Sequence, residues 1–283
     1  MRTKYKDEHY FDQINTEEKA YWLGFLWADG NISKPKRLVK GEEKPFYRIE
    51  ISLKYEDHEH LERFKKALNA ETEVKKSHTN FPQSKRCRFS FNSKHMWETL
   101  NSYGCTPRKS LTLMFPNANI FENKSLIKHF IRGYVDGDGC LSFTNTNHTK
   151  ASLSILGTEN VLTNLQHWLP LEFENELYGK KDENSNVKVL AFNGHRAYYV
   201  AHYLYKDCNV CLKRKYDRYV EYCRLYEESY GLRLGKYGEL WNENAVVNSE
   251  TKKSESPYSV EGEPVEQNII LPRVSDTPTE ISG

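Results

Sequence analysis

The chain has 283 residues, of which 38% are hydrophobic and 28% charged, and its formal net charge is +2. This is enough to bury one large core or two fused ones. No apolar run approaches the roughly 18 residues of a membrane span, and the N-terminal sequence MRTKYKDEHY lacks the apolar core of a signal peptide. We therefore expect a cytoplasmic protein and exclude the integral membrane class.

The charge is unevenly distributed along the chain. Residues 249–283 contain seven acidic and three basic residues, which leaves residues 1–248 with a net charge of +6. The C-terminal sequence is rich in Ser, Glu and Pro, which is typical of disorder, and we predict a disordered acidic tail over residues 235–283. The mildly basic remainder is compatible with a polyanionic partner but does not require one.

The first predicted element is an apolar helix in WLGFLWADGN, residues 22–31, which ends at an Asp-Gly step. FYRIEISL alternates apolar and polar residues and predicts a half-buried strand. DHEHLERFKKALNA predicts a helix that buries Leu61, Phe64 and Leu68. KRCRFSFN predicts a second strand with Cys87, Phe89 and Phe91 inward, and SKHMWETLNSYG predicts a closing helix.

The second half repeats this order. FIRGYVDGDGC, residues 130–140, aligns with the first apolar helix at a constant offset of 109 residues. CLSFTNTN, ASLSILG and NVKVLAFN predict strands, HRAYYVAHYLY predicts a helix, and TENVLTNLQHWL predicts a helix capped by Thr158. The repeat predicts an α+β fold of two α-β-β-α-β-β-α halves, residues 1–116 and 117–234, related by a pseudo-twofold axis.

Small residues follow one face of each repeated helix. Gly24 and Ala28 lie four residues apart in the first helix, as do Gly133 and Gly137 in the second. Residues at this spacing share a helical face, and small ones let two backbones approach closely. We therefore predict that these four residues form a helix interface, which would bring the carboxylates that follow them together.

Those carboxylates are Asp29 and Asp138, and two interpretations of them compete. Asp-Gly is a common turn signal, and Gly after a helix is a common stop. However, a carboxylate at a helix C-terminus lies at the negative end of the dipole, and two carboxylates about 4 Å apart repel by about 4 kcal/mol at an effective dielectric of 20. A divalent cation between them makes the arrangement favourable, and oxygen ligands suit Mg²⁺.

The six cysteines are scattered, as in reduced intracellular proteins. Cys208-x-x-Cys211, with Cys223 and His202 nearby, raises the alternative of a zinc site. The ligand spacing beyond the pair is irregular, so apolar packing is the better interpretation.

The sequences WLGFLWADG (22–30) and IRGYVDGDG (131–139) resemble the two nonapeptides of a single-chain LAGLIDADG homing endonuclease. The resemblance covers roughly residues 15–225. It implies that Asp29 and Asp138 are metal-binding catalytic acids, with Ala28 and Gly137 beside them as further metal ligands. It also implies that Lys94 and Arg196 (or His195) are basic residues of the active site. The sixth nonapeptide position is Asp136 in the second copy and Trp27 in the first, and this position is not usually the catalytic acid.

The resemblance further implies two antiparallel four-stranded sheets that form a DNA-binding saddle, with the helices packed behind. Outward polar side chains would read the major groove, since Arg recognises guanine and Ser or Thr can bond to several base edges, although a polar sheet face is often merely solvated. The predicted base-reading residues are Arg48, Ser52, Lys54, Arg86, Arg88 and Ser90 in the first half, and Ser142, Thr144, Thr146, Ser152, Ser154 and Lys188 in the second. Two basic segments would contact phosphates, through Arg108, Lys109, Lys213, Arg214 and Lys215.

The function implied is that of a monomeric, site-specific double-strand DNA endonuclease that uses Mg²⁺ or Mn²⁺. It would hydrolyse phosphodiester bonds at a long asymmetric target and leave short 3′ overhangs. The alternative is an RNA-binding intron maturase or a cleavage-dead DNA-binding regulator on the same fold, although such proteins tend to lose the motif acids. A phosphate-binding or scaffold protein is a third hypothesis, and it predicts no salt-sensitive binding to duplex DNA.

Overall fold

The computed structural model describes residues 6–78, 85–109, 112–144, 147–171, 174–179 and 186–230, with only the backbone of 227–230. The first half contains α1 (Glu17–Asp29), β1 (Gly30–Ser33), β2 (Lys36–Val39), β3 (Glu42–Pro45), β4 (Arg48–Lys54), α2 (His58–Ala67), β5 (Lys75–His78), β6 (Lys85–Asn92) and α3 (Lys94–Ser102). The second half contains α4 (Ile127–Asp138), β7 (Gly139–Phe143), β8 (Ala151–Thr158), α5 (Glu159–His167), β9 (Leu177–Gly179), β10 (Val187–Asn193), α6 (His195–Tyr205) and α7 (Lys213–Tyr230).

The two halves form equivalent antiparallel sheets. The strand order is β1-β4-β6-β5 in the first and β7-β8-β10-β9 in the second. Each sheet begins with the strand that follows its half's apolar helix directly, so α1 continues into β1 and α4 into β7. The predicted fold class, two α+β halves that each carry a four-stranded antiparallel sheet, is confirmed.

Alternating burial explains the central strands. In β4 the side chains of Ile49, Ile51 and Leu53 are buried, while the residues between them are not. The predicted inward residues of β6 and α2 are also buried. Thr158 caps α5 as predicted, since its hydroxyl oxygen accepts a hydrogen bond from the Val161 N–H at 3.3 Å.

A hairpin of β2 and β3 was not predicted. It lies between β1 and β4, and its turn places Lys40 and Gly41 at positive φ. Nearly all its residues are exposed. Because neither face of this hairpin packs on a core, its sequence has no apolar alternation from which strands could be predicted.

Helix α7 was also missed, because only the basic residues at its start were noted. Its buried face consists of Tyr219, Tyr222 and Tyr226, at helical spacing. The Tyr222 hydroxyl donates to the carbonyl oxygens of Ser142 and Ser152, at 2.6 Å each. These contacts fasten α7 across the first two strands of the second sheet.

The predicted tail, residues 235–283, lies outside the described residues and remains a prediction. Truncation after Leu234 is expected to keep the melting temperature within about 2 °C of the full chain, because a polar tail without a periodic apolar pattern buries little surface. Differential scanning calorimetry of the two proteins checks this. A truncated protein that is molten would show that Trp241 or the NIIL segment (268–271) packs on the body.

Among the described residues, no helix combines the length and the apolar character that crossing a bilayer requires.

Candidate functional site at the paired helix ends

Helices α1 and α4 pack against each other with their backbones in contact. A Cβ atom added to Gly24 would overlap the carbonyl oxygen of Phe130, and one added to Gly133 would overlap that of Tyr21. A Cβ atom on Gly137 would overlap the Ala28 methyl group and lie 3.3 Å from the backbone nitrogen of Asp29. The four small residues predicted from the sequence therefore lie where the two helices meet.

Asp29 and Asp138 are the last residues of these two helices. The glycines that follow are extended, with φ of −71° at Gly30 and −90° at Gly139. Neither has the left-handed conformation of a helix-stopping glycine. They are required for space instead, because a Cβ atom at either would overlap a carbonyl oxygen of its own helix, that of Leu26 or Val135. The two Asp-Gly steps therefore do end the helices, but without the left-handed glycine of the usual helix stop.

The pKa shift of Asp138 shows the influence of the Asp29 charge. The pKa of Asp138 is raised to about 6, first by burial and then by the negative charge of Asp29. Lys109, Lys215 and the nearby Tyr134 hydroxyl oppose this rise. Although Asp29 is solvent-exposed, the surrounding protein raises its pKa as well, against the charges of Lys215 and Lys109. Two carboxylates with raised pKa values beside two lysines form a charged centre of the kind found at functional sites.

The two lysines of this centre are buried and bind the ends of the two helices. The Lys215 ammonium donates to the carbonyl oxygens of Val135 and Asp136 at 2.6 Å and of Gly139 at 2.7 Å. These acceptors belong to the end of α4, where backbone carbonyls lack helical partners. Burial lowers the pKa of Lys215 to about 8.

Lys109 does the same for α1. Its ammonium donates to the carbonyl oxygens of Trp27 and Ala28, and burial lowers its pKa. The prediction that Lys109 and Lys215 contact DNA phosphates is therefore wrong, because both side chains are buried and their ammonium groups donate to carbonyl oxygens at the helix ends. The basic segments PRK and LKRK carried the signal for this pair, but their exposed and buried lysines look alike in the sequence.

The Ala28 carbonyl is a poor candidate for a metal ligand, because it accepts from the Lys109 ammonium at 2.5 Å. A metal ion on the same oxygen would place two positive charges side by side. Among the hydrogen bonds of the described residues, none joins Lys215 to the Gly137 carbonyl, so Gly137 remains a predicted metal ligand.

Asp136 is fully buried, and its carboxylate has a structural role. Its carboxylate accepts from the hydroxyls of Tyr21 and Tyr205, at 2.7 and 2.6 Å, and from the backbone N–H of Leu212 at 2.6 Å. Burial raises its pKa, while Lys215 and these three donors favour the ionised form. Trp27, its counterpart in the first helix, donates its indole N–H to the Met114 carbonyl at 2.9 Å.

The structure does not bring Lys94 or Arg196 into the charged centre. Lys94 is exposed and its ammonium lies 3.7 Å from Glu98 on its own helix. Arg196 is also exposed and donates to the side chain of Asn175 at 2.9 Å. The basic groups that influence Asp29 are instead Lys215, Lys109, Arg214 and Arg86. In the second half these groups lie at the start of α7, the last helix, and not at the start of α6 where Arg196 lies.

The polar face of the first sheet is continuous across its strands. Ser52 pairs with Arg88 and Lys54 with Arg86 in the β4–β6 register, on the side opposite the buried residues. Arg48 and Ser90 share this side. Arg88 lies 3.7 Å from the Glu50 carboxylate, which partly neutralises it. The predicted base-reading residues of this half are thus placed together.

In the second sheet, Ser142 pairs with Ser152, and Ser154 lies on the same face of β8. Thr144 follows β7 and is exposed, whereas Thr146 lies outside the described residues. Lys188 pairs with Gly157, on the face of the buried Leu190 and Phe192, so its predicted place on the polar face is wrong.

The polar face of this sheet includes apolar side chains that were missed. Val189 pairs with Leu156 on one side and with Tyr178 on the other. Leu156 is 36% exposed and Tyr178 58% exposed. Apolar groups of this kind can contact thymine methyl groups in a major groove, although they cannot form hydrogen bonds with base edges.

The exposed residues of the two basic segments are Arg108, Lys213 and Arg214. Lys213 pairs with Asp217 at 2.7 Å. Arg214 donates to the nearly buried Asp57 carboxylate at 3.1 Å, which links α7 to the first half.

The cysteines are free thiols, and Cys208 and Cys211 lie partly buried against the core. They belong to no group of metal-binding geometry among the described residues, so the zinc alternative at this pair gains no support.

Comparison with known proteins places the fold. No protein-family model matches the chain, and no curated protein sequence is significantly similar to it. Among solved structures, the LAGLIDADG homing endonuclease I-LtrWI, bound to target DNA, superposes with a TM-score of 0.52 at 12% identity, over 89% of this chain and 99% of its own. The meganuclease I-SmaMI, bound to DNA, gives a TM-score of 0.49 at 12% identity, over 74% and 90%. The LAGLIDADG meganuclease I-AabMI, bound to uncleaved DNA, gives 0.49 at 13%, over 83% and 97%.

Taken with the paired apolar helices, the two equivalent sheets and the Asp-Gly step at each helix end, the superposition on I-LtrWI shows that this chain has the LAGLIDADG homing endonuclease fold, with both halves in one polypeptide.

Proposed function

We propose that the protein is a site-specific double-strand DNA endonuclease that cleaves with a divalent cation, Mg²⁺ or Mn²⁺. The observation that carries this proposal is the convergence of Asp29 and Asp138 at the ends of two helices in backbone contact, where the charge of Asp29 raises the pKa of Asp138. A folded protein gains no stability from this arrangement without a cation.

The residues at the helix ends fit such a cation. Asp29 and Asp138 offer carboxylate oxygens and Gly137 offers a carbonyl, which are ligand types that Mg²⁺ prefers. A bound divalent cation supplies Lewis-acid stabilisation of the charge on a phosphate and lowers the pKa of bound water. The protein's own part is to hold the two carboxylates in register, which the small-residue interface does.

Lys109 and Lys215 are proposed as positioning residues of this site. The Lys109 ammonium bridges carbonyls at the end of α1, and the Lys215 ammonium bridges carbonyls at the end of α4. Each so fixes the backbone from which the adjacent aspartate projects. Their charges also lower the pKa of both aspartates. Keeping the carboxylates ionised favours cation binding, because a protonated carboxyl group is a poor ligand.

The polar sheet faces provide the proposed DNA interface. The first carries Arg and Lys side chains, whereas the second carries Ser side chains and the apolar row of Leu156, Val189 and Tyr178. Because the two faces differ in chemistry, the target is proposed to be asymmetric, with phosphate contacts from Arg108, Lys213 and Arg214 adding affinity. Hydrolysis of both strands at one central site would leave short 3′ overhangs, as the resemblance to the family implies.

An RNA-binding maturase or a cleavage-dead DNA-binding regulator would use the same fold and the same sheet faces. Neither requires two like charges to be kept together at the helix ends. The presence of both aspartates therefore favours the nuclease.

The test is incubation of the full-length protein with a randomised duplex DNA library and Mg²⁺, followed by sequencing of the broken ends. We expect recurrent double-strand breaks with short 3′ overhangs at one asymmetric sequence, and none in EDTA. The Asp138→Asn variant serves as the control for contaminating nucleases. Salt-sensitive duplex binding without breaks would favour the regulator, and a preference for structured RNA would favour the maturase.

The pH dependence of stability follows from Asp138. Because its pKa in the folded protein is raised to about 6 from 3.8, folding binds a proton there, and the stability that this group contributes is complete below pH 3.8 and is lost as the pH rises through 6. Mg²⁺ binds the ionised form, so its stabilising effect is expected to grow between pH 5 and 7.5. Melting temperatures with and without Mg²⁺ at the two pH values check this, and an equal Mg²⁺ effect at both would contradict it.

A further inference from the structure

A cluster of metal-ligating side chains lies away from the paired helix ends. His9 and Asp12 precede α1, and His95 is the second residue of α3. The Asp12 carboxylate lies between the two imidazoles, with Oδ2 at 2.7 Å from His9 Nδ1 and Oδ1 at 2.7 Å from His95 Nε2. The three ligand atoms all lie within 4.8 Å of one another. Their side chains are 71%, 37% and 43% exposed for His9, Asp12 and His95, so an ion can reach them from solvent.

The backbone that carries the cluster is held in place by other contacts. The Tyr103 hydroxyl donates to the carbonyl oxygens of Phe11 and Asp12, at 3.0 and 3.2 Å. Phe11 is fully buried and anchors the segment in the core. The His9 backbone N–H donates to the Asp7 carboxylate at 3.0 Å, and the Thr99 hydroxyl lies 3.4 Å from Asp12 Oδ1. The three side chains are therefore brought together by the fold and not only by their mutual attraction.

We propose that His9, Asp12 and His95 bind one zinc ion that fastens the N-terminal segment to α3. Two imidazole nitrogens and one carboxylate oxygen are a common three-residue zinc ligand set, with water in the fourth position. At zinc–ligand distances of about 2.0–2.2 Å, tetrahedral geometry places ligand atoms about 3.3–3.5 Å apart. The observed separations, from 2.7 Å to no more than 4.8 Å, bracket this value, so exposed side chains need only small rotations to close on the ion.

The ligand types also distinguish this site from the paired aspartates. Imidazole suits zinc, copper and nickel, whereas Mg²⁺ prefers an all-oxygen shell. The proposal is independent of nuclease activity, because none of the three residues belongs to the helix ends or to the sheet faces. Its consequence is structural, since an ion held by both segments binds the folded protein and not the unfolded chain.

The experiment uses tag-free, full-length protein stripped of metal and measures its melting temperature and its zinc-binding isotherm. The background carries Cys208→Ser, Cys211→Ser and Asp138→Asn, so that neither the thiols nor the aspartate pair contributes. We expect one bound zinc ion per chain and a rise of about 5 °C in melting temperature at a hundredfold excess over the dissociation constant. Mg²⁺ at the same concentration should give no rise.

The variants are His95→Gln and Asp12→Asn, which keep size and hydrogen-bonding capacity, so both should fold. Each is expected to lose the zinc-induced rise and the single-site isotherm. His58→Gln changes a histidine of α2 that pairs with Glu62, and this matched control should keep both. An unchanged zinc response in His95→Gln and Asp12→Asn, or no response in the parent, would overturn the proposal.

Discussion

Asp29→Asn and Asp138→Asn are each expected to reduce Mg²⁺-dependent DNA cleavage by several orders of magnitude while leaving duplex binding nearly intact. Either change removes a charged ligand and keeps the size of the side chain, so the cation loses an anchor while the sheet faces are untouched. Removing a negative charge near DNA phosphates is expected to tighten binding slightly. Cleavage under single-turnover conditions and duplex affinity by fluorescence anisotropy, measured on the same preparations, check both parts.

The stability of these variants separates a functional carboxylate from a structural one. Asp138 has a raised pKa beside Asp29, so its charge costs stability at neutral pH when no cation is bound. Asp138→Asn should therefore melt at or above the parent temperature in metal-free buffer at pH 7.5.

Asp136→Asn provides the matched control, two residues earlier on the same helix. Its carboxylate accepts from two tyrosine hydroxyls and a backbone N–H. An amide has only one oxygen to accept these bonds, and leaving a buried donor without a partner costs about 1–3 kcal/mol. We expect Asp136→Asn to be destabilised, and full cleavage by Asp29→Asn or Asp138→Asn would refute the role assigned to that residue.

Much of the fold could be predicted because two kinds of pattern carry it. The β4 and β6 strands alternate because one face packs on helices, and α1 and α4 repeat their small residues because their backbones touch. Both are consequences of burial, which leaves a period in the sequence. The β2–β3 hairpin is not buried, and its sequence carries no such period.

The site was predicted less completely, because it depends on direction as well as on residue type. In the sequence, Lys109 and Lys215 look like the exposed Arg108 and Arg214 beside them. They differ only in the direction of their side chains, because the two lysine ammonium groups donate to carbonyl oxygens at the helix ends. Lys188 was assigned to the polar face because the alternation is weak at the start of β10, where Val187, Lys188 and Val189 are all half-buried. Its register with Gly157 reveals the true side. Sequence patterns identify the two aspartates, whereas the positions of the lysines around them follow only from the three-dimensional structure.

Gly133→Leu is expected to destabilise the interface between α1 and α4 strongly. A Cβ atom there already overlaps the Tyr21 carbonyl oxygen and would lie 2.8 Å from the Phe25 nitrogen. Both are backbone atoms in the buried part of α1, residues 20–27, so no flexible side chain can move aside. Overpacking a core typically costs about 1–3 kcal/mol, and a leucine between two backbones should cost more than this.

For a folded region of this size, such a cost corresponds to a fall of about 10 °C or more in melting temperature. Gly133→Ala should show a smaller fall in the same direction, so that the effect remains measurable if the leucine variant does not fold. Gly179→Leu introduces the same side chain on β9, where an added Cβ atom meets nothing within 4 Å, and it should melt close to the parent. Because the helix contact also sets the distance between Asp29 and Asp138, Gly133→Ala should lose cleavage even at temperatures where it is fully folded. A Gly133→Leu protein that melts within a degree or two of the parent and still cleaves would show that the two helices are not packed as described.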